Sequence, residues 1–219
     1  GTFRLDGVGG GELVVTAAGF DDAVLAVPAS GLAEVALEPE MIRSIYANFG
    51  VLGDPERLNE LIEIADTTEI NAIVIDAKQD SIYYETGVPF FREIPGMITP
   101  AYDPAELLAR LEEHDIYSIA RVVVFKDPKV AEGRPDLAIR DETTGGLWRD
   151  YGGSAWVNAF NQELWQANAD LAGELAQLGF DEVQYDYIRF PSDGDLRTAD
   201  FGNDYTEELR RAAITGAVA

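Results

Sequence analysis

The chain has 219 residues, with 16 basic side chains against 40 acidic ones and a formal charge of −24. That length allows one or two domains with a buried core, and a composition 47% hydrophobic and 26% charged is that of a globular chain. The negative field argues against nucleic acid and anionic membrane surfaces as partners, no run approaches the roughly eighteen uncharged apolar residues of a membrane span, and the lack of cysteine removes disulfides, thiolate metal sites and cysteine nucleophiles.

Residues 1–40 carry three short β-prone runs, Leu13-Val-Val-Thr-Ala17, Ala23-Val-Leu-Ala-Val27 and Ala33-Glu-Val-Ala-Leu37, separated by turn-like stretches. They read as a small all-β segment. The cluster Gly7-Val-Gly-Gly-Gly11 precedes a strand, whereas a phosphate-cradling loop follows a strand and opens a helix, so it reads as a hairpin connection.

From Met41 to the end, strand and helix alternate. Arg43-Ser-Ile-Tyr-Ala-Asn-Phe49 is a strand, and Asp54-Pro55 then supplies an N-cap and a first-turn proline for a helix carrying Leu58, Leu61, Ile62 and Ala65. Asn71-Ala-Ile-Val-Ile-Asp-Ala77 is the second strand, followed by a long excursion over 78–102. A second Asp-Pro start, Asp103-Pro104, opens a helix through Leu107, Leu108 and Leu111, and Ser118-Ile-Ala-Arg-Val-Val-Val-Phe125 is the third strand. After another excursion over 126–160 comes a helix through Leu164, Trp165, Leu171, Leu175 and Leu178, stopped by Gly179. Glu182-Val-Gln-Tyr-Asp-Tyr-Ile188 is the fourth strand, and residues 206–215 are helical.

Continuous apolar strands separated by helices mean a parallel sheet covered by helices. Long loops leave the C-terminal strand ends while helix-to-strand links are short, the asymmetry of a (β/α)8 barrel. The expectation is an α/β chain holding the first four units of such a barrel, over 41–219, behind the small all-β segment. Four strands in that span are fewer than a full barrel needs, so an open four-stranded sheet is the alternative.

In a barrel, strand residues of one parity point inward, and those at the C-terminal end line the site. Val74, Asp76 and Lys78 share parity on the second strand, Arg121, Val123 and Phe125 on the third, and Gln184, Asp186 and Ile188 on the fourth. Asp76, Lys78, Arg121, Gln184 and Asp186 should therefore converge near the upper rim. They form either a structural ion network or a catalytic centre in which Asp186 is a nucleophile or base for glycosidic cleavage, a reaction that needs two carboxylates. A third reading is divalent-metal chemistry at carboxylates such as Asp76, Asp80 and Asp186; no cofactor motif is present. Trp148 and Trp156, in Gly146-Leu-Trp-Arg-Asp150 and Ser154-Ala-Trp-Val-Asn158, either stack on sugar rings beside Arg149 or anchor their loop. Arg189 can pair with substrate or with Asp186. The only histidine, His114, closes a helix, where a cation suits the macrodipole.

The segments Ala72-Ile-Val-Ile-Asp-Ala-Lys78, Ile119-Ala-Arg-Val-Val-Val-Phe-Lys-Asp127, Gly146-Leu-Trp-Arg-Asp150 and Gly179-Phe-Asp-Glu-Val-Gln-Tyr-Asp-Tyr-Ile-Arg-Phe-Pro-Ser-Asp193 resemble an uncharacterised bacterial family of (β/α)8-barrel glycoside hydrolases. The resemblance spans residues 43–193. It implies a barrel, a hydrolase acting on a polysaccharide or oligosaccharide, an extracellular or cell-envelope setting, and strand-end acids Asp76 and Asp186 with Arg121 and Arg189 beside them. Asn158 stands where relatives often carry aspartate. Residues 1–40 resemble the tail of a carboxypeptidase-regulatory-like β-sandwich. The rival function is a non-catalytic carbohydrate- or envelope-binding module that uses the barrel as a scaffold and depends on Trp148 or Trp156.

Overall fold

The structure, a computed structural model, describes residues 2, 4–6, 9–17, 19–39 and 41–219. The chain divides into two compact units, Gly1–Arg43 and Ser44–Ala219.

In the first unit, β1 (Glu12–Ala17) and β2 (Phe20–Ala26) form an antiparallel ribbon paired from Glu12↔Ala26 to Ala17↔Phe20. The turn between them uses Gly19 at φ +76°, a conformation that a Cβ disfavours. Gly9, Gly10 and Gly11 lead into β1, but among the described residues no strand precedes them, so the expected hairpin connection is not shown; Gly7 and Val8 of the same cluster lie outside the described residues. Residues 33–37, expected as a third strand, are not one. The chain makes one isolated bridge, Phe20 with Pro39, beside a hydrogen bond from Asp21 N to Glu38 O. The β-sandwich tail is not shown by this two-stranded ribbon.

The second unit runs β3 (Ser44–Ala47), α1 (Phe49–Leu52), α2 (Pro55–Thr67), β4 (Ala72–Lys78), α3 (Pro89–Arg92), α4 (Pro104–Glu113), β5 (Tyr117–Val123), α5 (Pro128–Gly133), β6 (Arg140–Asp141), α6 (Gln162–Leu178), β7 (Glu182–Asp186), β8 (Ala199–Asp200) and α7 (Glu207–Ala217). Strands β3, β4, β5 and β7 form one parallel sheet in that order, while β6 and β8 pair as a short antiparallel ribbon in the loops. The local signals act as their chemistry dictates. Asp54 and Asp103 accept hydrogen bonds from the first-turn amides of α2 and α4, each ahead of a proline. Gly179 ends α6 at φ +106°, where only a residue without a Cβ is unstrained. His114 closes α4, and its Nδ1 lies 2.9 Å from Asp66 Oδ2.

The two faces of this sheet differ. Ala47, Ile73, Ile75, Ala120 and Val122 belong to one core cluster with Leu58, Ile62, Leu107, Leu111, Leu171 and Leu175 of the covering helices. Val74, Ile119 and Val123, of the opposite parity, are buried but lie outside that cluster. Their face also carries Tyr46, Asp76, Arg121, Gln184 and Asp186, aligned by the pairs Asp76↔Arg121, Arg121↔Gln184 and Val123↔Asp186. The fold is mixed α/β with four parallel strands, as expected, but the sheet remains open and no barrel closes. Among the described residues no helix is long and apolar enough to cross a membrane.

Candidate active site

Asp76, Arg121 and Asp186 meet at the C-terminal ends of β4, β5 and β7. Arg121 Nη1 donates to Asp76 Oδ1 at 2.7 Å; its Nη2 and Nε donate to Asp186 Oδ2 at 2.7 and 3.0 Å. One guanidinium thus clamps two carboxylates, the use to which its planar fork is suited. Burial pulls the Arg121 pKa down, but the hydrogen bonds to Asp186 and Asp76 outweigh it and leave the group above its ordinary value. Nη1 also reaches Gln79 Oε1 at 3.3 Å.

The two acids are not equivalent. Asp76 is 0% exposed; Arg121 holds one of its oxygens, and Tyr46 Oη donates to the other. Tyr46 has an exposed ring, but its hydroxyl lies against that buried carboxylate. Burial, then the hydrogen bond to Asp76, raise its pKa well above the phenol range and keep it a donor. Tyr102 Oη lies 3.5 Å from the Asp76 carbonyl, and Tyr83 stacks on Phe49 with ring centroids 4.9 Å apart. Burial, followed by the charge of Asp80, pushes the Tyr83 phenol up to about 12. Asp76 is therefore enclosed between Tyr46 and Arg121. Asp186, by contrast, has a side chain 44% exposed. Its Oδ1 accepts from the amide of Tyr187 at 2.7 Å, and Tyr187 itself sits at φ +52°. A bulky residue in the left-handed region is strained, and such strain gathers at functional sites.

Lys78 does not join this group. The register slips between Asp76 and Lys78, so that Lys78 pairs with Val122 and two residues of β4 oppose one of β5. The bulge breaks the strand parity and sends Lys78 to the core side, where its Nζ lies 2.7 Å from Asp127 Oδ2, 5.5 Å from the Phe91 ring centroid and within reach of the Val123 carbonyl. Gln184 keeps its place in the Asp76–Arg121 row and is exposed.

The loop residues also depart from expectation. Trp148 and Trp156 are 1% and 0% exposed, so neither offers a face to a sugar. Trp148 Nε1 donates to the Asp195 carbonyl and Trp156 Nε1 to Asp150 Oδ2, which resolves their two readings in favour of loop anchors. Arg149 pairs with Glu132 at 2.9 Å. Arg189 does not bond Asp186; its guanidinium lies 5.2 Å from the rings of both Trp156 and Tyr187. Asn158 is committed to the Phe201 carbonyl and the Phe160 amide.

Sequence reasoning missed Tyr46, Lys126 and the ion pair that Lys126 makes with Asp150. Lys126 pairs with the buried Asp150 at 2.9 Å and sits 5.7 and 5.5 Å from the Trp156 and Tyr187 rings. Extending the parity argument to β3 finds Tyr46, whereas Lys126 and Asp150 meet only through the return of the 126–160 loop. Among the described residues no group of three or more histidine, aspartate or glutamate side chains is arranged to hold a metal.

Against known proteins, a solved structure from Ruminiclostridium thermocellum, described as a hypothetical protein, is 33% identical, covers 79% of this chain and 90% of its own, and superposes with a TM-score of 0.70. The Thermus thermophilus α-galactosidase solved with p-nitrophenyl α-D-galactopyranoside is 17% identical at a TM-score of 0.50, matching 80% of this chain and 34% of its own. The chitobiase of Flavobacterium johnsoniae is 13% identical at 0.54, matching 81% and 29%. At such identities the likeness to these glycosidases is one of fold alone, and the chain spans about a third of the length of each. None of the curated proteins matches the chain. Residues 44–219 match the family described as "Putative glycosyl hydrolase domain", and the chain belongs to that family.

Proposed function

We propose that the chain carries part of the active site of a glycoside hydrolase acting on a polysaccharide in an extracellular or cell-envelope setting, with Asp186 as its nucleophile or general base. The observation that supports this is the contrast between the two strand-end acids. Asp186 presents a half-exposed carboxylate oriented from one side by the Arg121 fork and from the other by the Tyr187 amide. Preorganised acceptors of this kind serve an oxocarbenium-like transition state because they need no rearrangement as charge develops. Asp76 is then a positioning residue: it fixes Arg121, and Arg121 fixes Asp186. The reaction requires a second carboxyl group, about 5–5.5 Å away for retention or about 6.5–9.5 Å for inversion.

The binding-module reading loses its platforms, since the indoles of Trp148 and Trp156 are enclosed. The test is Asp186→Asn in the intact protein, assayed for release of reducing ends from a panel of polysaccharides. The expected outcome is a loss of about 10³-fold or more with an unchanged circular dichroism spectrum. Turnover equal to the parent rejects the role of Asp186. Failure of the parent to cleave any glycan, with binding retained, returns the binding module.

A further inference from the structure

A groove of about 590 Å³ runs between the segment that leaves β7 and helix α7, its lining including the apolar Ile188, Phe190 and Ile214 and the charged Arg189, Arg210, Arg211 and Glu207. Three guanidinium groups in one groove are notable in a chain of charge −24, where a basic side chain is seldom far from an acid. Arg211 has such a partner, Glu207 at 2.8 Å. The other two have none among the described residues. Arg189 donates only to the Phe190 carbonyl at 3.2 Å and to Ser192 Oγ at 3.0 Å, with its face toward Trp156 and Tyr187. Arg210 lies 4.7 Å from the Tyr205 ring centroid, and its Nε is buried with no acceptor. Buried donors without an acceptor are rare in folded proteins and call for a specific explanation, such as a missing ligand.

We infer that this groove is an anion subsite that receives the carboxylate of a uronic-acid residue in the glycan, which makes the substrate class an acidic polysaccharide. The inference rests on the hydrolase reading of Asp186, since the groove begins two residues beyond that side chain. A carboxylate matches the planar fork of arginine in a two-point contact. The half-buried Ile188 and Ile214 give the lining apolar area for the apolar face of a pyranose, so the groove combines charge and apolar surface, as a uronate does. Stacking on Tyr205 holds the Arg210 guanidinium by its face and leaves its edge donors to a ligand. The local arginines are needed because the overall field repels anions, so recognition of an acidic chain here has to be short-ranged and should weaken with added salt.

The experiment is calorimetric titration of the intact protein with a galacturonate tetrasaccharide, a neutral galactose tetrasaccharide and inorganic phosphate. The uronate should bind at least about tenfold more tightly than either of the others, a difference of about 1.4 kcal/mol. Arg210→Met and Arg189→Met should each remove about tenfold of that affinity while leaving weak neutral-sugar binding in place. Arg210→Lys should lose part of it, and Arg211→Met should change it less than threefold. Equal melting temperatures of the variants show that the groove has not been lost by unfolding, and either of the first two variants suffices. Equal binding of acidic and neutral oligomers, or full uronate affinity in both Arg210→Met and Arg189→Met, overturns the inference. Preference for phosphate overturns it in favour of a free-anion site. Because binding is read without turnover, its failure is separable from that of the hydrolase: glycan cleavage that depends on Asp186 together with equal binding of acidic and neutral oligomers removes the groove and keeps Asp186, while uronate binding without cleavage of any glycan does the reverse.

Discussion

The two faces of the parallel sheet are made by the same backbone yet obey different rules. Toward the helices, Ile73, Ile75, Ala120 and Val122 are fully buried and apolar, and their contribution is area removed from water. On the other face the row Asp76, Arg121 and Gln184 holds charge and polarity, stable only because each buried group has a partner. The first face tolerates changes of chemistry poorly, because its side chains are close-packed and apolar. The second spends hydrogen bonds to fix direction, and its outermost acid, Asp186, is left half in solvent. What separates them is what each presents after folding: apolar surface toward the helices, and at the rim a carboxylate still half in solvent.

The largest stability effect should come from the place where charge crosses to the wrong face. Lys78→Met leaves Asp127 buried and unpaired and should cost about 3–5 kcal/mol in urea unfolding. Lys78→Met with Asp127→Leu should recover much of it, and a double variant no better than the single one would break the description of the pair as self-compensating. Tyr46→Phe removes one of the donors to Asp76 and should cost about 1–3 kcal/mol, with glycan turnover falling as Arg121 loosens. A stability loss with unchanged turnover would restrict Tyr46 to a structural part.

A pH titration sharpens the same contrast. Burial raises the Asp150 pKa, but hydrogen bonds from Trp156, Lys126 and the Ser154 amide outweigh it and hold the carboxyl below its ordinary 3.8. The unfolded chain therefore binds the proton first as pH falls, so the stability due to Asp150 is complete above about pH 4 and disappears as pH drops through the lower native value. Asp150→Asn should flatten that acid limb. Lys126 has the opposite sign: burial lowers it, the bond to Asp150 more than restores it, and its contribution is present below 10.5 and lost as pH rises through its raised native pKa. The smallest effect should be Gln184→Ala, within about 0.5 kcal/mol, because an exposed side chain on the open face has little to lose. A cost as large as that of Lys78→Met would mean that the open face is packed as tightly as the covered one.

The sequence made the strands, the Asp-Pro helix starts and the Gly179 stop legible because each rests on chemistry within a few residues. The meeting of Asp76, Arg121 and Asp186 was legible too, since it needs only strand parity and a parallel register. Lys78 was misplaced because a bulge is a property of pairing between two strands, invisible in either alone. Trp148 and Trp156 were ambiguous for a related reason. Whether an indole in a glycine-rich loop faces water depends on what returns over it, here the Asp195 carbonyl and the Asp150 carboxylate. The third β-prone run of the first unit, residues 33–37, forms no strand, and its alternation alone did not reveal that.

The inserted residue in β4 has an electrostatic result. Had the strand kept its parity, Lys78 would have stood over the rim, and two cations would have balanced two acids. With Lys78 diverted to Asp127, the rim retains Asp76 and Asp186 against Arg121 alone, an excess of one negative charge. Under the proposed hydrolysis, a transition state that builds positive charge on a sugar ring gains from that surplus, and a single slipped residue on β4, two strands from Asp186 on β7, supplies it.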